Sequence, residues 1–207
     1  KKIFRYNIKF SINISGPTAK IHDAVTRSPG SFRQTIKGIK NLHKLGSNIL
    51  VKMLLTKSNY KYLLKTTQFV AKLGIENIWF VFLTPYGSAR DNFDAVVPRY
   101  GDVRFSLEQT MRWLEKNTKV KVSLEGFPPC CLNPKFYPLI TETSFTEDSL
   151  DGLIPVSHRP IYNCKCEWVL KQKQKFPECR DCLYDEKCEG VYNEYVERIG
   201  RDEFRPI

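Results

Sequence analysis

Cysteine is missing from the first 129 of the 207 residues, and acid is nearly missing from the first 75. The first gap keeps thiolate chemistry out of the front of the chain and confines it to the last third, where all seven cysteines lie. The second leaves residues 1–75 with 15 Lys and Arg against one acid, Asp23, while residues 76–207 hold 18 basic and 21 acidic side chains. No apolar run approaches the roughly 18 residues of a membrane span. The start is basic, but Asn7 and Lys9 interrupt the apolar stretch a signal peptide needs. A cytoplasmic protein with no membrane partner is expected. An odd number of clustered cysteines also argues against a secreted disulfide framework. Histidine is scarce: His22, His43 and His158 have no acid or nucleophile at a useful spacing. His22 is expected to cap or bridge its loop, and His43 to lie on an exposed helix face. No Gly-rich phosphate loop and no Ser-His-Asp order is visible.

What is present suffices for a core. Hydrophobic residues make up 42% of the chain and charged ones 27%, which excludes wholesale disorder. The net charge of +11 comes from the front half. Such a half can mark a nucleic-acid face. Lys37, Lys40, Lys44, Lys61, Lys65 and Lys72 equally suit solvated helix faces, and no nucleic-acid signature accompanies them. Nucleic acid is therefore not the expected partner.

Tyr6, Ile8, Phe10, Ile12 and Ile14 alternate with Asn7, Lys9, Ser11 and Asn13, the period of a strand, which Ser15-Gly16-Pro17 ends. After a loop through Pro29-Gly30, Ser31 and Gln34 form a capping-box pattern. Phe32, Ile36, Ile39, Leu42 and Leu45 then follow helical spacing up to Gly46. The run 49–55 is apolar on both faces except Lys52, as in a buried parallel strand. A helix over 59–73, a strand over 78–83, a loop over 84–102, a helix near 105–116 and a strand over 120–124 complete the series. This alternation predicts a parallel α/β sheet with helices outside. Four strands do not close an eight-stranded barrel, leaving an open sheet or part of a larger barrel.

From Gly126 the periodicity stops. The tail reads Cys164-x-Cys166-x12-Cys179-x2-Cys182-x5-Cys188. Closely spaced thiolates aim paired sulfurs at one centre, which fits a soft metal or an iron–sulfur cluster. Spacing alone leaves both open, and Cys164, Cys166, Cys179 and Cys182 would make an acceptable zinc site.

In order along the chain stand Asn13-Ile14-Ser15-Gly16-Pro17, Ile21-His22-Asp23, Thr26-Arg27 and Pro29-Gly30-Ser31-Phe32. Thr56-Lys57-Ser58-Asn59, Pro85-Tyr86-Gly87-Ser88-Ala89, Val97-Pro98 and Gly126-Phe127-Pro128-Pro129-Cys130 follow, then Cys179-x2-Cys182-x5-Cys188, Tyr195, Gly200, Glu203 and Pro206. Together these resemble the later part of radical S-adenosylmethionine (SAM) enzymes, whose partial barrel carries an auxiliary-cluster extension called SPASM or twitch. The resemblance implies residues 1–126 as a partial (β/α) barrel segment, 127–163 as a crossing loop, and 164–207 as a Cys-rich extension. It implies SAM and a 4Fe-4S cluster as cofactors, and radical chemistry in which SAM yields a deoxyadenosyl radical that abstracts a substrate hydrogen. The substrate class would be a small molecule or, often in this family, a peptide. The runner-up is a zinc-binding interaction module with a basic nucleic-acid-binding face.

Two departures shape the expectation. The Cys-x3-Cys-x2-Cys motif of the catalytic cluster is absent, so the chain resembles the C-terminal part of such an enzyme, lacking the N-terminal barrel half and not cleaving SAM alone. Tyr192 stands where the fuller extension has another cysteine, which implies one auxiliary cluster rather than two. By the resemblance, Asn13 takes the place of a serine near the SAM ribose or methionine, and Ser15 that of an aspartate. Arg27 matches an arginine that pairs with the SAM carboxylate. Lys52 faces the lumen, and Leu83 borders the adenine. The metal ligands would be Cys179, Cys182 and Cys188 with Cys164 or Cys166, and Cys130 or Cys131 could complete a site from the loop.

Overall fold

The computed structural model of the chain describes residues 8–141 and 171–207. Its centre is a four-stranded sheet in chain order: β1 (Lys9–Asn13), β2 (Asn48–Leu55), β3 (Asn77–Phe82) and β4 (Lys121–Glu125), each parallel to its neighbour. Parallel strands need crossovers, and helices supply them. Between β1 and β2 run α1 (Ala19–Thr26) and α2 (Ser31–Lys44), and between β2 and β3 runs α3 (Leu63–Lys72) after a 3-10 turn at Tyr60–Tyr62. Between β3 and β4 lie the short α4 (Ser88–Asp91) and α5 (Phe93–Val96), then α6 (Tyr100–Asn117). The chain is thus a mixed α/β protein with a parallel sheet; four strands in a row do not by themselves establish a partial barrel.

Burial divides the strands by face. Ile49, Val51, Met53 and Leu55 of β2, with Ile78, Phe80 and Phe82 of β3, join helix residues such as Ile39, Val70, Leu107 and Leu114 in the main core. The opposite face carries a smaller cluster of Leu50, Trp79 and Val81, with Leu54 beside it. That second cluster explains why the two central strands read as apolar on both sides. The edge strands differ. β1 places Lys9, Ser11 and Asn13 on the second face, and β4 places Lys121, Ser123 and Glu125 there.

Three expectations are adjusted. Pro29-Gly30 was expected to lie in a loop joining β1 to a single helix, but α1 precedes it, since Ile21, His22 and Val25 supply one short apolar face. The Ser31–Gln34 box does not cap α2. Gly30 occupies the N-cap position at φ 84°, and the acceptor comes from Asp23 of α1. Its carboxylate takes the Gly30 and Phe32 N–H groups, each at 2.7 Å, and the Ser31 hydroxyl at 2.9 Å. A longer-range carboxylate thus outcompetes the local hydroxyl for the orphan donors of the first turn. Finally, α6 starts at Tyr100 rather than near Phe105, because Tyr100 and Val103 extend the buried stripe of Leu107, Met111 and Leu114.

The later described residues pack on the same core. Lys173–Gln174 (β5) pairs antiparallel with Val191–Tyr192 (β6), and α7 (Asn193–Ile199) follows. Val191, Tyr192, Tyr195 and Phe204 belong to the cluster that holds β3 and α6.

Candidate functional site

The first part of the site is a row of side chains at the end of β1 and along the middle of β2, β3 and β4. Asn13 and Lys52 are register partners across β1 and β2, followed by Trp79 on β3 and Ser123 on β4, so the four side chains share the face away from the helices. Asn13 is exposed and donates from Nδ2 to the Ser15 hydroxyl at 2.8 Å. Ser15 is buried, with its N–H donated to His22 Nδ1 at 3.1 Å and its carbonyl accepting from Asn59 Nδ2 at 3.2 Å. Asn59 also ties down the end of β2, donating to Leu54 O at 2.8 Å and accepting from Thr56 N at 2.7 Å. The β1 and β2 ends are therefore held as one unit.

Lys52 is half-buried, its Nζ lying 4.6 Å from the Trp79 ring centre and 3.9 Å from Glu125 Oε2. The structure thus sets Asn13 beside Lys52 on one face, with Ser15 hydrogen-bonded to Asn13 just past the end of β1. Leu83 follows directly on β3 and is half-buried at the core's edge. Arg27 is the exposed C-cap of α1 at φ 53°, about one and a half turns beyond His22. Trp79 and Glu125 were not foreseen in the site. Glu125 was legible as the next alternate residue after Ser123 in a strand that was read as alternating.

The second part is a small cavity, about 30 Å³, where the β4 exit loop meets the tail. Cys130, Cys179, Cys182 and Cys188 all line it, with Phe176 and Phe204 among the apolar walls. Two 3-10 turns, Pro129–Cys131 and Pro177–Asp181, present Cys130 and Cys179, and proline at the start of each turn presets its backbone. Backbone amides face two sulfurs: Phe176 N–H donates to Cys179 Sγ at 3.4 Å, and Gly190 N–H to Cys188 Sγ at 3.3 Å. Burial pushes the Cys188 thiol up to about 11, so a bare thiolate is disfavoured there. Cys130 is shifted down, chiefly by a hydrogen bond from Cys131. Cys131 does not line the cavity; it is buried, donates to the Glu203 carbonyl at 3.9 Å, and is pushed up by burial.

Among the described residues, no three His, Cys, Asp or Glu side chains come together closely enough to hold one metal ion. The four sulfurs share a cavity without meeting at a point. Cys164, Cys166 and His158 lie outside the described residues. His43 is exposed on α2, and His22 bridges to Ser15 as expected. No helix among the described residues is long and apolar enough to cross a membrane.

A polar latch joins the two parts. The Tyr100 N–H donates to Tyr195 Oη at 3.0 Å, and the Tyr195 hydroxyl donates to the Glu203 carboxylate. Glu203 also accepts from Gly101 N–H at 2.8 Å, at the first turn of α6. Tyr100 in turn stacks on Phe82 at 3.8 Å between ring centres and donates its hydroxyl to Gly126 O at 2.9 Å.

No family model matches the chain. A stretch of 80 residues is 34% identical to the AdoMet-dependent heme synthase of Oleidesulfovibrio alaskensis. The match covers 38% of this chain and 20% of that protein, so the chain spans about a fifth of the length of the curated relative it matches.

Proposed function

We propose that this chain is part of a radical SAM iron–sulfur enzyme, in which Cys130, Cys179, Cys182 and Cys188 hold an auxiliary 4Fe-4S cluster and SAM lies at the C-terminal ends of the strands. The observation that carries the reading is the gathering of four cysteines from two distant segments around one cavity, with backbone amides on two sulfurs. The partial identity to an AdoMet-dependent enzyme supports the SAM half. The donor set fits a soft iron centre: four thiols, no histidine, and largely apolar walls. When bound, such a cluster supplies a one-electron redox centre. An auxiliary role is assigned because residues 1–129 hold no cysteine for the three-thiolate site that SAM cleavage requires.

The chain's own residues would do the positioning. Thiols at this site lose their protons on loading, so metal affinity should rise with pH. The Phe176 and Gly190 amides would then face thiolates rather than thiols, which strengthens both bonds. At the strand ends, the Asn13 amide and Ser15 hydroxyl would meet the sugar or methionine portion of SAM. Lys52 and Arg27 would supply cations for its carboxylate, and Leu83 an apolar edge for the adenine. Cys164 or Cys166 stands as the alternative to Cys130 for the fourth ligand in the same reading. The substrate is proposed to be a peptide or small molecule, and heme formation, as in the relative, is one reaction to assay.

Anaerobic reconstitution with iron and sulfide tests the cavity. The expected product is brown and carries roughly four irons and four sulfides per chain, and Cys182→Ala loses most of both. Cys182→Ala with full iron would reject the site, and a colourless protein holding one zinc would favour the zinc module. Titration with SAM tests the strand ends separately. Lys52→Ala should weaken binding about tenfold, the loss of one charge-assisted contact. Unchanged affinity would remove Lys52 from the site.

A further inference from the structure

On the outer surface, away from both parts of the site, α2 and α3 leave a groove of about 860 Å³ between them. Its floor is apolar: Phe32 and Ile36 from α2, Phe69 and Leu73 from α3, all half-buried. The Phe32 and Phe69 rings meet across it at 5.5 Å between centres. Its rim is cationic, with Arg33, Lys37, Lys40 and Lys44 along α2 and Lys72 on α3, all exposed. No acidic side chain lines the groove, and none of these five cations makes an ion pair among the described residues.

We infer that this groove is a docking surface for an acidic amphipathic helix of a partner protein. The geometry selects the shape, the floor and rim the chemistry. Two side-by-side ridges of side chains, running in the same direction as successive crossovers of a parallel sheet must, flank an apolar trough in which a helix can lay its apolar stripe. The α2 cations recur at 33, 37, 40 and 44, spanning roughly 16 Å of helix at 1.5 Å per residue. A helix lying along the trough presents acids at the same three- and four-residue spacing, so each flank pairs with the rim while its leucine-type stripe covers the floor. Lysine stems can fold over such a stripe with their charges still in water.

The occupant is set by complementarity of charge. Five cations that make no ion pair among the described residues surround an apolar strip and repel one another, and an acidic partner relieves that while burying the strip. Duplex nucleic acid would use the rim but leave the floor without a ligand group, because phosphates and sugars are polar. An anionic membrane is flat on this scale, whereas the apolar residues sit in a trough below the cations. The inference is independent of what the cysteine cavity binds.

The test uses the full chain and a labelled peptide of about 20 residues, with leucines at helical spacing and glutamates elsewhere. Controls are a scrambled peptide of equal composition, poly(U) RNA, and vesicles containing phosphatidylglycerol. At about 0.05 M salt the amphipathic peptide should bind at least about tenfold tighter than the scrambled one, and lose most of that affinity by about 0.3 M. Lys37→Glu, Lys40→Glu and Lys44→Glu together should weaken it a further tenfold or more. The neutral set Lys37→Gln, Lys40→Gln and Lys44→Gln should give an intermediate loss, should the reversed charges disturb folding. Amide exchange should slow in α2 and α3 on binding. Equal binding of the scrambled peptide, tighter binding of RNA or vesicles, or protection confined to other elements would each overturn the proposal.

Discussion

His22 and Asp23 are adjacent in sequence, yet each anchors a different element, and both respond to acid in the same direction. His22 is 2% exposed and accepts the Ser15 N–H at Nδ1, a bond only the neutral ring can make. Burial holds its pKa below the ordinary value near 6.5, with the Asp23 charge opposing more weakly. Below about pH 6.5 the unfolded chain takes up a proton that the folded chain refuses, so stability falls as pH drops through that value. Asp23 is held below its ordinary value, first by the Phe32 N–H. Its stabilisation is complete above about pH 4 and is lost on further acidification, as the cap of α2 is protonated. Melting temperature against pH should therefore show two separate acid steps. His22→Asn, whose Oδ1 can stand in for Nδ1, should flatten the step that sets in below about pH 6.5 and leave the Asp23 step. Asp23→Asn should do the reverse while lowering stability at neutral pH. A single step common to all three proteins would show that neither residue carries this role.

At the scale of elements, the β5–β6 ribbon shows how a backbone constraint can serve a thiol site. Gly190 sits at φ 88°, and a Cβ there would stand 2.8 Å from the Gln174 carbonyl carbon, closer than side-chain atoms approach backbone. The same residue's amide faces Cys188 Sγ. Gly190→Ala must shift the ribbon or the loop, at a cost of about 1–3 kcal/mol from the strained conformation alone. The urea midpoint should fall accordingly, and reconstituted iron should be lost faster to a chelator. Normal iron retention would separate the ribbon from the cavity. Elements of this kind were the hardest to read in the sequence. The parallel strands were plain because their apolar runs are long and bounded by Gly46 and Gly74. So was the stripe of α2. The capping of α2 by Asp23 was not legible, since a local Ser31–Gln34 pattern offered a cheaper account and only packing brings α1 alongside. The two-residue strands β5 and β6 have no periodicity to detect. At the site, the alternation of β1 and the offset of Lys52 within β2 foretold one shared face. Trp79 joined that face unannounced, because in an all-apolar strand nothing marks which side a residue takes.

At the scale of the molecule, the tail and the sheet share a core, so they should unfold together. Tyr195 is fully buried between Tyr100 and Phe204, and its hydroxyl both accepts from the Tyr100 N–H and donates to Glu203. Burial, reinforced by the Glu203 carboxylate, pushes its pKa far above the ordinary tyrosine value, so it stays a donor at every accessible pH. Tyr195→Phe keeps the ring but strands the Tyr100 N–H, which should cost about 1–3 kcal/mol, while Glu203 keeps the Gly101 N–H. Glu203→Gln keeps an acceptor and should cost less. Cys131 gives a local reporter, because its thiol is enclosed between the β4 exit loop and the Glu203 carbonyl. Trp79 and Trp113 report on the sheet and α6. With one shared core, tryptophan fluorescence and labelling of Cys131, read by mass spectrometry, should report the same denaturant midpoint. Tyr195→Phe should move both midpoints down together. If Cys131 became reactive while the tryptophan signal stayed native, the tail would be a separately stable layer, and the latch would govern access to the cysteine cavity rather than the stability of the fold.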